Sequence, residues 1–123
     1  MSAFDSLSSL DLQRIWDGVH ARVVHGERQT FSVVELDPDT VVPEHHHEQE
    51  QLGMCLRGSL LFRVGDESRR LQPGDTWSIP SNVPHDVHVG PDGAVVIDVF
   101  APTRDDWREA PTADARKPRW PVA

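Results

Sequence analysis

Short apolar runs alternate with turns rich in Gly, Pro and Asp along most of this chain. A spacing of about 8–12 residues between such turns is typical of β-sandwiches and β-barrels. The runs predict strands over residues 21–24, 30–36, 41–47, 51–56, 60–64, 68–72, 77–79, 85–89 and 94–100. We therefore predict an all-β barrel over residues 19–108.

The most apolar of these strands, residues 94–100, is hydrophobic on both faces except at Asp98. A strand of this kind is buried on both sides, here inside a barrel and beneath a second sheet or subunit. A carboxylate is costly to bury there without a partner. Asp98 is therefore either a proton-transferring group with a raised pKa or part of an ion pair with Arg22 or Arg104.

The two ends of the chain depart from the strand pattern. Residues 1–18 predict an N-terminal arm or a short helix. Residues 109–123 contain three Pro and little apolar periodicity, which predicts a C-terminal arm or tail.

Composition and charge narrow the class of protein. The 123 residues amount to one domain, and 12 Lys and Arg against 20 Asp and Glu give a net charge of −8. That balance predicts neither nucleic acid nor an anionic membrane as a partner, and no apolar run approaches the ~20 residues of a membrane span. The start of the chain lacks signal-peptide features, and Cys55 is the only cysteine, so we expect a cytoplasmic protein. The partner that remains is a small-molecule substrate.

The candidate chemistry lies among the histidines. His45 and His47 occupy alternate positions of a predicted strand, so their side chains project from one face and are able to bind one cation. His85 follows a turn that contains Pro80 and Asn82. Three imidazoles suit one divalent transition metal ion, such as Zn, Ni, Fe or Mn, far better than they suit Mg or Ca.

The spacing of these residues resembles the two sequence motifs of the cupins, a family of jelly-roll β-barrels. The positions that carry the resemblance are His45, His47, Gln51 and Gly58 in the first motif, and Gly74, Pro80, Asn82 and His85 in the second. The first motif departs from the family pattern in its missing leading Gly and in Gln51, which replaces Glu. The resemblance implies a single-domain cupin jelly-roll barrel with a metal held by His45, His47, Gln51 and His85.

The fourth ligand is open between Gln51 and Glu50. Counting seven residues back from Gly58, as the motif requires, gives Gln51, and alternation places Glu50 on the opposite face. A neutral Gln ligand leaves the charge of the metal uncompensated, which strengthens it as a Lewis acid. It also removes the two-His, one-carboxylate ligand set of iron oxygenases, which weakens a prediction of dioxygen chemistry.

A narrower resemblance is to the pectin-degradation cupins, which help to convert 4,5-unsaturated monouronates into linear keto-deoxy sugars. Residues 45–53, 79–85 and 98–107 carry it. The resemblance implies that Asp98, Phe100 and Arg104 face the metal. Asp98 would then act in proton transfer, and Arg104 would bind a carboxylate through its bidentate guanidinium. The alternative for Arg104 is a surface side chain in an acidic loop, near Asp105 and Asp106.

We expect Phe100, Trp77 and Phe62 to wall the substrate pocket, although Phe62 also suits ordinary core packing. The predicted function is a metal-dependent isomerase or lyase that acts on a small, anionic, sugar-acid-like substrate. Two alternatives stay open: a non-catalytic cupin that binds a metal or ligand, and a cupin oxygenase or cyclase of a biosynthetic pathway. The family resemblance also implies a homodimer.

Overall fold

Two long, bent strands organise the fold. The computed structural model describes residues 2–121, and within them the chain forms eight strands. They are β1 (Gln13–Trp16), β2 (Val19–His25), β3 (Thr30–Leu36), β4 (Val41–His45), β5 (Glu50–Val64), β6 (Glu67–Leu71), β7 (Thr76–Ile79) and β8 (His85–Ala101). Short 3-10 turns lie at Leu7–Ser9 and Asp105–Glu109.

The strands β5 and β8 pair with each other from end to end and take part in two antiparallel layers. One layer has the order β1-β2-β3-β8-β5-β7, and the other has the order β4-β8-β5-β6. The layers enclose an apolar interior in which Cys55, Leu60 and Ile79 are almost fully buried. This antiparallel jelly-roll arrangement confirms the predicted all-β fold class.

The predicted strand boundaries are wrong in the middle of β5 and of β8, each of which covers two predicted strands. The turn signal at Gly58 bends β5 without ending it, and its φ of +79° is accessible to glycine. A Cβ at Gly58 would also overlap the carbonyl oxygen of Gly93 on β8. The glycine therefore allows the two bent strands to cross in close contact.

The second half of β8 is covered on its outer face by the same chain. Val96, Asp98 and Phe100 line the barrel cavity, whereas Val95 lies on the other face and is 2% exposed. The groove beside Val95 is bordered by Pro118. The sequence predicted that a second sheet or subunit covers this face of the strand. At Val95, the C-terminal segment of the same chain covers it.

A buried cluster of charges fastens that segment to the sheet. Arg22 on β2 pairs with Glu35 on β3 at 2.6 Å and donates a second hydrogen bond to the carbonyl of Arg116 at 2.7 Å. Glu35 also accepts from the Arg116 side chain at 2.9 Å and from the Arg119 backbone N–H at 3.0 Å. Burial alone would raise the pKa of Glu35, but these hydrogen bonds lower it below its usual value. Arg22 is therefore not the ion-pair partner of Asp98.

The N-terminal strand β1 is held between β2 and the segment that follows β8. The Gln13 side chain donates to the carbonyls of Trp107 and Ala110 at 3.0 and 3.2 Å, and the Arg14 N–H donates to the carbonyl of Pro111 at 2.9 Å. Residues from both ends of the chain thus form one rim of the barrel. Among residues 2–121, no helix is long and apolar enough to cross a membrane.

Candidate metal centre

Three imidazoles converge inside this rim. His45 is the last residue of β4 and pairs in register with His85, the first residue of β8. His47 lies just beyond the end of β4, because the predicted strand over residues 41–47 is two residues shorter in the structure. One ligand atom from each imidazole lies within 4.8 Å of the others, whereas the adjacent His46 is exposed.

The backbone sets the tautomer of all three rings. Each Nδ1 lies within hydrogen-bond distance of a main-chain carbonyl two residues away in sequence. The pairs are His45 with Pro43 at 2.9 Å, His47 with Gln49 at 2.9 Å and His85 with Val83 at 2.8 Å. Because a carbonyl oxygen only accepts, each Nδ1 carries the proton and each Nε2 keeps a lone pair. A neutral imidazole with a free Nε2 is the form that binds a metal ion.

Burial favours the neutral form of two of these rings, His85 and His47. It lowers the pKa of His85 to about 4, and it lowers the pKa of His47, to which the charge of Arg104 also contributes. Within the described residues, the buried Nε2 of His85 has no hydrogen-bond partner. A buried acceptor without a partner is uncommon in proteins and points to a missing ligand.

The side chain of Gln51 connects the histidines to Asp98. Its Nε2 lies 2.8 Å from Asp98 Oδ1, and since a carboxylate accepts, the amide nitrogen faces it. The amide oxygen then lies 3.1 Å from His47 Nε2. Two acceptors at this distance repel each other unless a cation lies between them, so the donor set fits a metal ion. Glu50, the alternative ligand, is exposed on the outer face of β5.

Asp98 is enclosed by the barrel and held by two donors. Its Oδ1 accepts from Gln51 and from the indole Nε1 of Trp77, each at 2.8 Å. Gly53 lies between Asp98 and Trp77 in the sheet register, and a Cβ there would overlap the indole. Burial raises the pKa of Asp98 to about 6, although both hydrogen bonds oppose the shift.

Arg104 lines the cavity and also pairs with an acidic residue of its own loop. Its guanidinium lies 4.7 Å from the ring centre of Phe100 and 4.4 Å from that of Trp107. Its Nε and Nη2 donate to the carboxylate of Asp106 at 3.1 and 3.0 Å. Nη1 makes no hydrogen bond within residues 2–121, and the side chain lines the cavity. One edge of the guanidinium is thus fixed, and the other is available to an anion.

The cavity above the histidines opens to solvent. Phe62, Trp77 and Phe100 line it, in the positions predicted for pocket walls, and Phe62 also belongs to the hydrophobic core. Sequence reasoning missed Trp16 and Trp107, which line the same cavity. The signal that could have indicated Trp16 was the presence of a large aromatic side chain in the predicted N-terminal arm.

A further contact missed from the sequence braces the histidines from outside. Arg63 on β5 donates to Asp86 at 2.7 Å and pairs with Glu44. Glu44 and Asp86 are the sequence neighbours of His45 and His85. Arg63 therefore ties β4 to β8 beside the imidazoles.

Comparison with known proteins agrees with this geometry. Residues 32–100 match the family described as Cupin domain. The pectin degradation protein KdgF of Dickeya dadantii (strain 3937) is 26% identical over 97 residues, which cover 77% of this chain and 88% of that relative. The structure of KdgF from Halomonas sp. has a TM-score of 0.79 at 29% identity and covers 86% of this chain and 98% of that chain.

A third relative shares the fold alone. An RmlC-like cupin from Shewanella frigidimarina NCIMB 400 has a TM-score of 0.80 at 21% identity, over 86% of this chain and 96% of that chain. The family match covers more than half of the sequence and includes the whole of the first predicted motif and the whole of the second. The chain belongs to the cupin family.

Proposed function

We propose that this chain is a metal-dependent enzyme that transfers a proton on a small, anionic, sugar-acid-like substrate, with ketonisation, isomerisation or β-elimination as the outcome. The observation that carries the proposal is the buried Asp98 carboxylate, linked at 2.8 Å to Gln51, whose amide oxygen faces His47. The similarity to two KdgF proteins, one of them named for pectin degradation, supports a uronate as the substrate.

His45, His47, Gln51 and His85 would hold one divalent transition metal ion, either Zn, Ni, Fe or Mn. When bound, such an ion supplies Lewis acidity toward a carbonyl or hydroxyl oxygen of the substrate. All four side chains are neutral in the ligating form, so they leave the charge of the ion available to attract an anion. The site is therefore able to favour an anionic substrate in a protein whose net charge is −8.

Asp98 is the proton-transferring residue in this proposal. Trp77 and Gln51 both donate to Oδ1, so Oδ2 is the oxygen left to accept a proton from the substrate and to return it. A carboxyl group with a pKa of about 6 is ionised at neutral pH yet close enough in pKa to act in both directions. Enclosure within the barrel also strengthens its interaction with a developing charge.

Arg104 and Phe100 would position the substrate. Asp106 holds the Nε and Nη2 edge of the Arg104 guanidinium, so the edge that includes Nη1 is able to bind a substrate carboxylate. Phe100 packs its ring against that guanidinium and is itself 2% exposed. The buried ring therefore limits the movement of the Arg104 side chain.

The test compares the turnover of a 4,5-unsaturated galacturonate by the wild-type protein and by Asp98→Asn. Turnover is measured as the loss of the ultraviolet absorbance of the substrate double bond. We expect kcat to fall at least about 100-fold with bound metal unchanged, because the amide keeps the shape of the carboxylate and cannot accept the proton. Asp92→Asn, an exposed position on the same strand, is the matched control.

Three results would contradict the proposal. Unchanged turnover by Asp98→Asn would remove the assigned base. Binding of the uronate by the wild-type protein without any product would favour the non-catalytic cupin. Consumption of dioxygen during turnover would favour the oxygenase.

We also propose a homodimer that forms through the outer face of the larger layer. Val24, Phe31, Val99 and Leu52 are neighbours across β2, β3, β8 and β5 in one cross-strand row. Three of them, Val24, Phe31 and Leu52, are 44%, 40% and 48% exposed. Phe31→Arg should give a monomer in light scattering. The control Val41→Arg, at an exposed apolar position on β4, should leave the dimer intact. A monomeric wild type contradicts this proposal.

A further inference from the structure

Trp16 lies at the mouth of the cavity, in a part of the chain that precedes the cupin match at residues 32–100. Its ring centre is 5.4 Å from that of His45, and the residue is 39% exposed. A large flat apolar surface that remains exposed beside a cluster of metal-ligating side chains has no role in the core. It is a surface that a bound molecule would cover.

A β-bulge turns Trp16 toward the cavity. In β1, Arg14 pairs with His20 and Trp16 pairs with Val19, so Ile15 is the extra residue. A bulge of this kind redirects side chains, and it is why the consecutive residues Ile15 and Trp16 both line the cavity. Regular alternation would have placed one of them on the opposite face.

The backbone that carries Trp16 is held in place before any ligand arrives. The Gln13 side chain and the Arg14 N–H bind carbonyls of the segment that follows β8, at 2.9–3.2 Å. These contacts fix β1 just before the bulge, so little ordering of the backbone at Trp16 is needed on binding. Such preorganisation is typical of residues that select a ligand.

Trp16 shares the mouth of the cavity with Arg104. Both side chains line the cavity and also an open groove that leads away from it past Arg14. The two groups offer complementary contacts, since an indole face packs on the apolar side of a flat or puckered ring and a guanidinium binds a carboxylate. A closed-ring sugar acid carries both features in one molecule.

We propose that Trp16 is a specificity-determining residue that stacks on the closed ring of a sugar acid whose carboxylate binds Arg104. This inference rests on the proposed function and narrows its substrate class to compounds that present a ring. It assigns to the N-terminal segment a part in recognition that the cupin motifs do not contain.

The experiment measures binding by isothermal titration calorimetry with two probes of equal carbon number. D-galacturonate presents a ring and a carboxylate, whereas D-galactonate is acyclic and keeps the carboxylate. Trp16→Ala should raise the Kd for galacturonate at least about tenfold, as expected for the loss of an aromatic stacking contact. The Kd for galactonate should change less than about twofold on the same scale.

Two further variants separate recognition from structure. Trp16→Phe keeps an aromatic face and should restore most of the affinity for galacturonate. Leu61→Ala removes an apolar side chain of similar exposure, 40%, from the outer face of β5 and should change neither Kd. Metal content, measured on every variant, distinguishes lost stacking from a displaced His45.

The outcomes distinguish this inference from the proposed function. Equal effects of Trp16→Ala on the two probes, or no effect on either, overturn the stacking role even if the unsaturated uronate is turned over. Failure of the wild-type protein to bind galacturonate overturns it as well. Galacturonate binding that depends on Trp16, without turnover of any uronate, supports the inference and removes the proposed reaction.

Discussion

Gly53→Ala tests whether the contact between Trp77 and Asp98 depends on the absence of a side chain at residue 53. A Cβ at residue 53 would lie 2.2 Å from Trp77 Nε1 and 2.6 Å from Asp98 Oδ1. The indole is 8% exposed and packs 5.0 Å from the ring of Phe62, so any movement of it disturbs a packed neighbour. The substitution therefore forces the indole away from the carboxylate.

The size of the effect follows from two contributions. Overpacking a well-filled core costs about 1–3 kcal/mol. Loss of a hydrogen bond to a charged group costs roughly 1.5–3 kcal/mol when it is complete. Since movement of the indole relieves part of the first cost, we expect a total of about 2–4 kcal/mol. At this chain length the Tm should fall by roughly 8–15 °C.

The assay combines thermal denaturation with near-ultraviolet circular dichroism, which reports a change in the surroundings of Trp77. The same substitution in a Trp77→Leu background completes a double-mutant cycle. There the penalty of Gly53→Ala should be smaller by at least about 1 kcal/mol, because the indole that it displaces is absent. A fall in Tm of less than about 2 °C, or equal penalties in both backgrounds, would refute the steric argument.

Three further predictions concern charge, metal and bracing. Glu35→Gln leaves Arg22 buried without a counter-ion and should lower the free energy of unfolding at pH 7 by about 3–5 kcal/mol in urea denaturation. Because folding lowers the pKa of Glu35, the stability that it contributes is complete above its unfolded-state pKa and is lost as the pH falls through its folded-state pKa. A gap between wild type and variant that does not narrow toward about pH 3 contradicts this assignment. Treatment with a chelator should lower the Tm, and His85→Ala should abolish stoichiometric metal in elemental analysis; a wild type that binds no transition metal refutes the site. Arg63→Gln should weaken metal binding about tenfold in a competition titration. Arg69→Gln, which removes an exposed ion pair, should not weaken it. Equal effects of the two substitutions would exclude a specific role of Arg63 in holding β4 and β8 together beside the imidazoles.

Strand alternation and motif spacing predicted the parts of the site that depend on local geometry. His45, His47 and His85 are brought together by strand ends and turns of set length, and these lengths are visible in the sequence. Asp98 faces the cavity because its parity along β8 places it there, beside Phe100. Such features need only the two-residue period of a strand and the lengths of the turns between strands.

Features that depend on contacts between distant segments were not predictable in this way. The bend of β5 at Gly58 depends on where β8 crosses β5. A turn signal in the sequence alone indicates the end of a strand. The pairing of Arg22 with Glu35 depends on the C-terminal segment that covers them. The position of Trp16 depends on a bulge, and one extra residue in a short strand leaves no pattern in the sequence.

The hydrogen bonds from each imidazole Nδ1 to a main-chain carbonyl bear on how this centre is able to evolve. The acceptors belong to the backbone of Pro43, Gln49 and Val83, so the orientation of the rings does not require a particular side chain at those positions. Mutations around the centre therefore leave the ligand orientation intact as long as the turns keep their shape. Substitutions at the rim, at residues such as Trp16 and Arg104, can therefore change the wall of the cavity while the orientation of the imidazoles is kept.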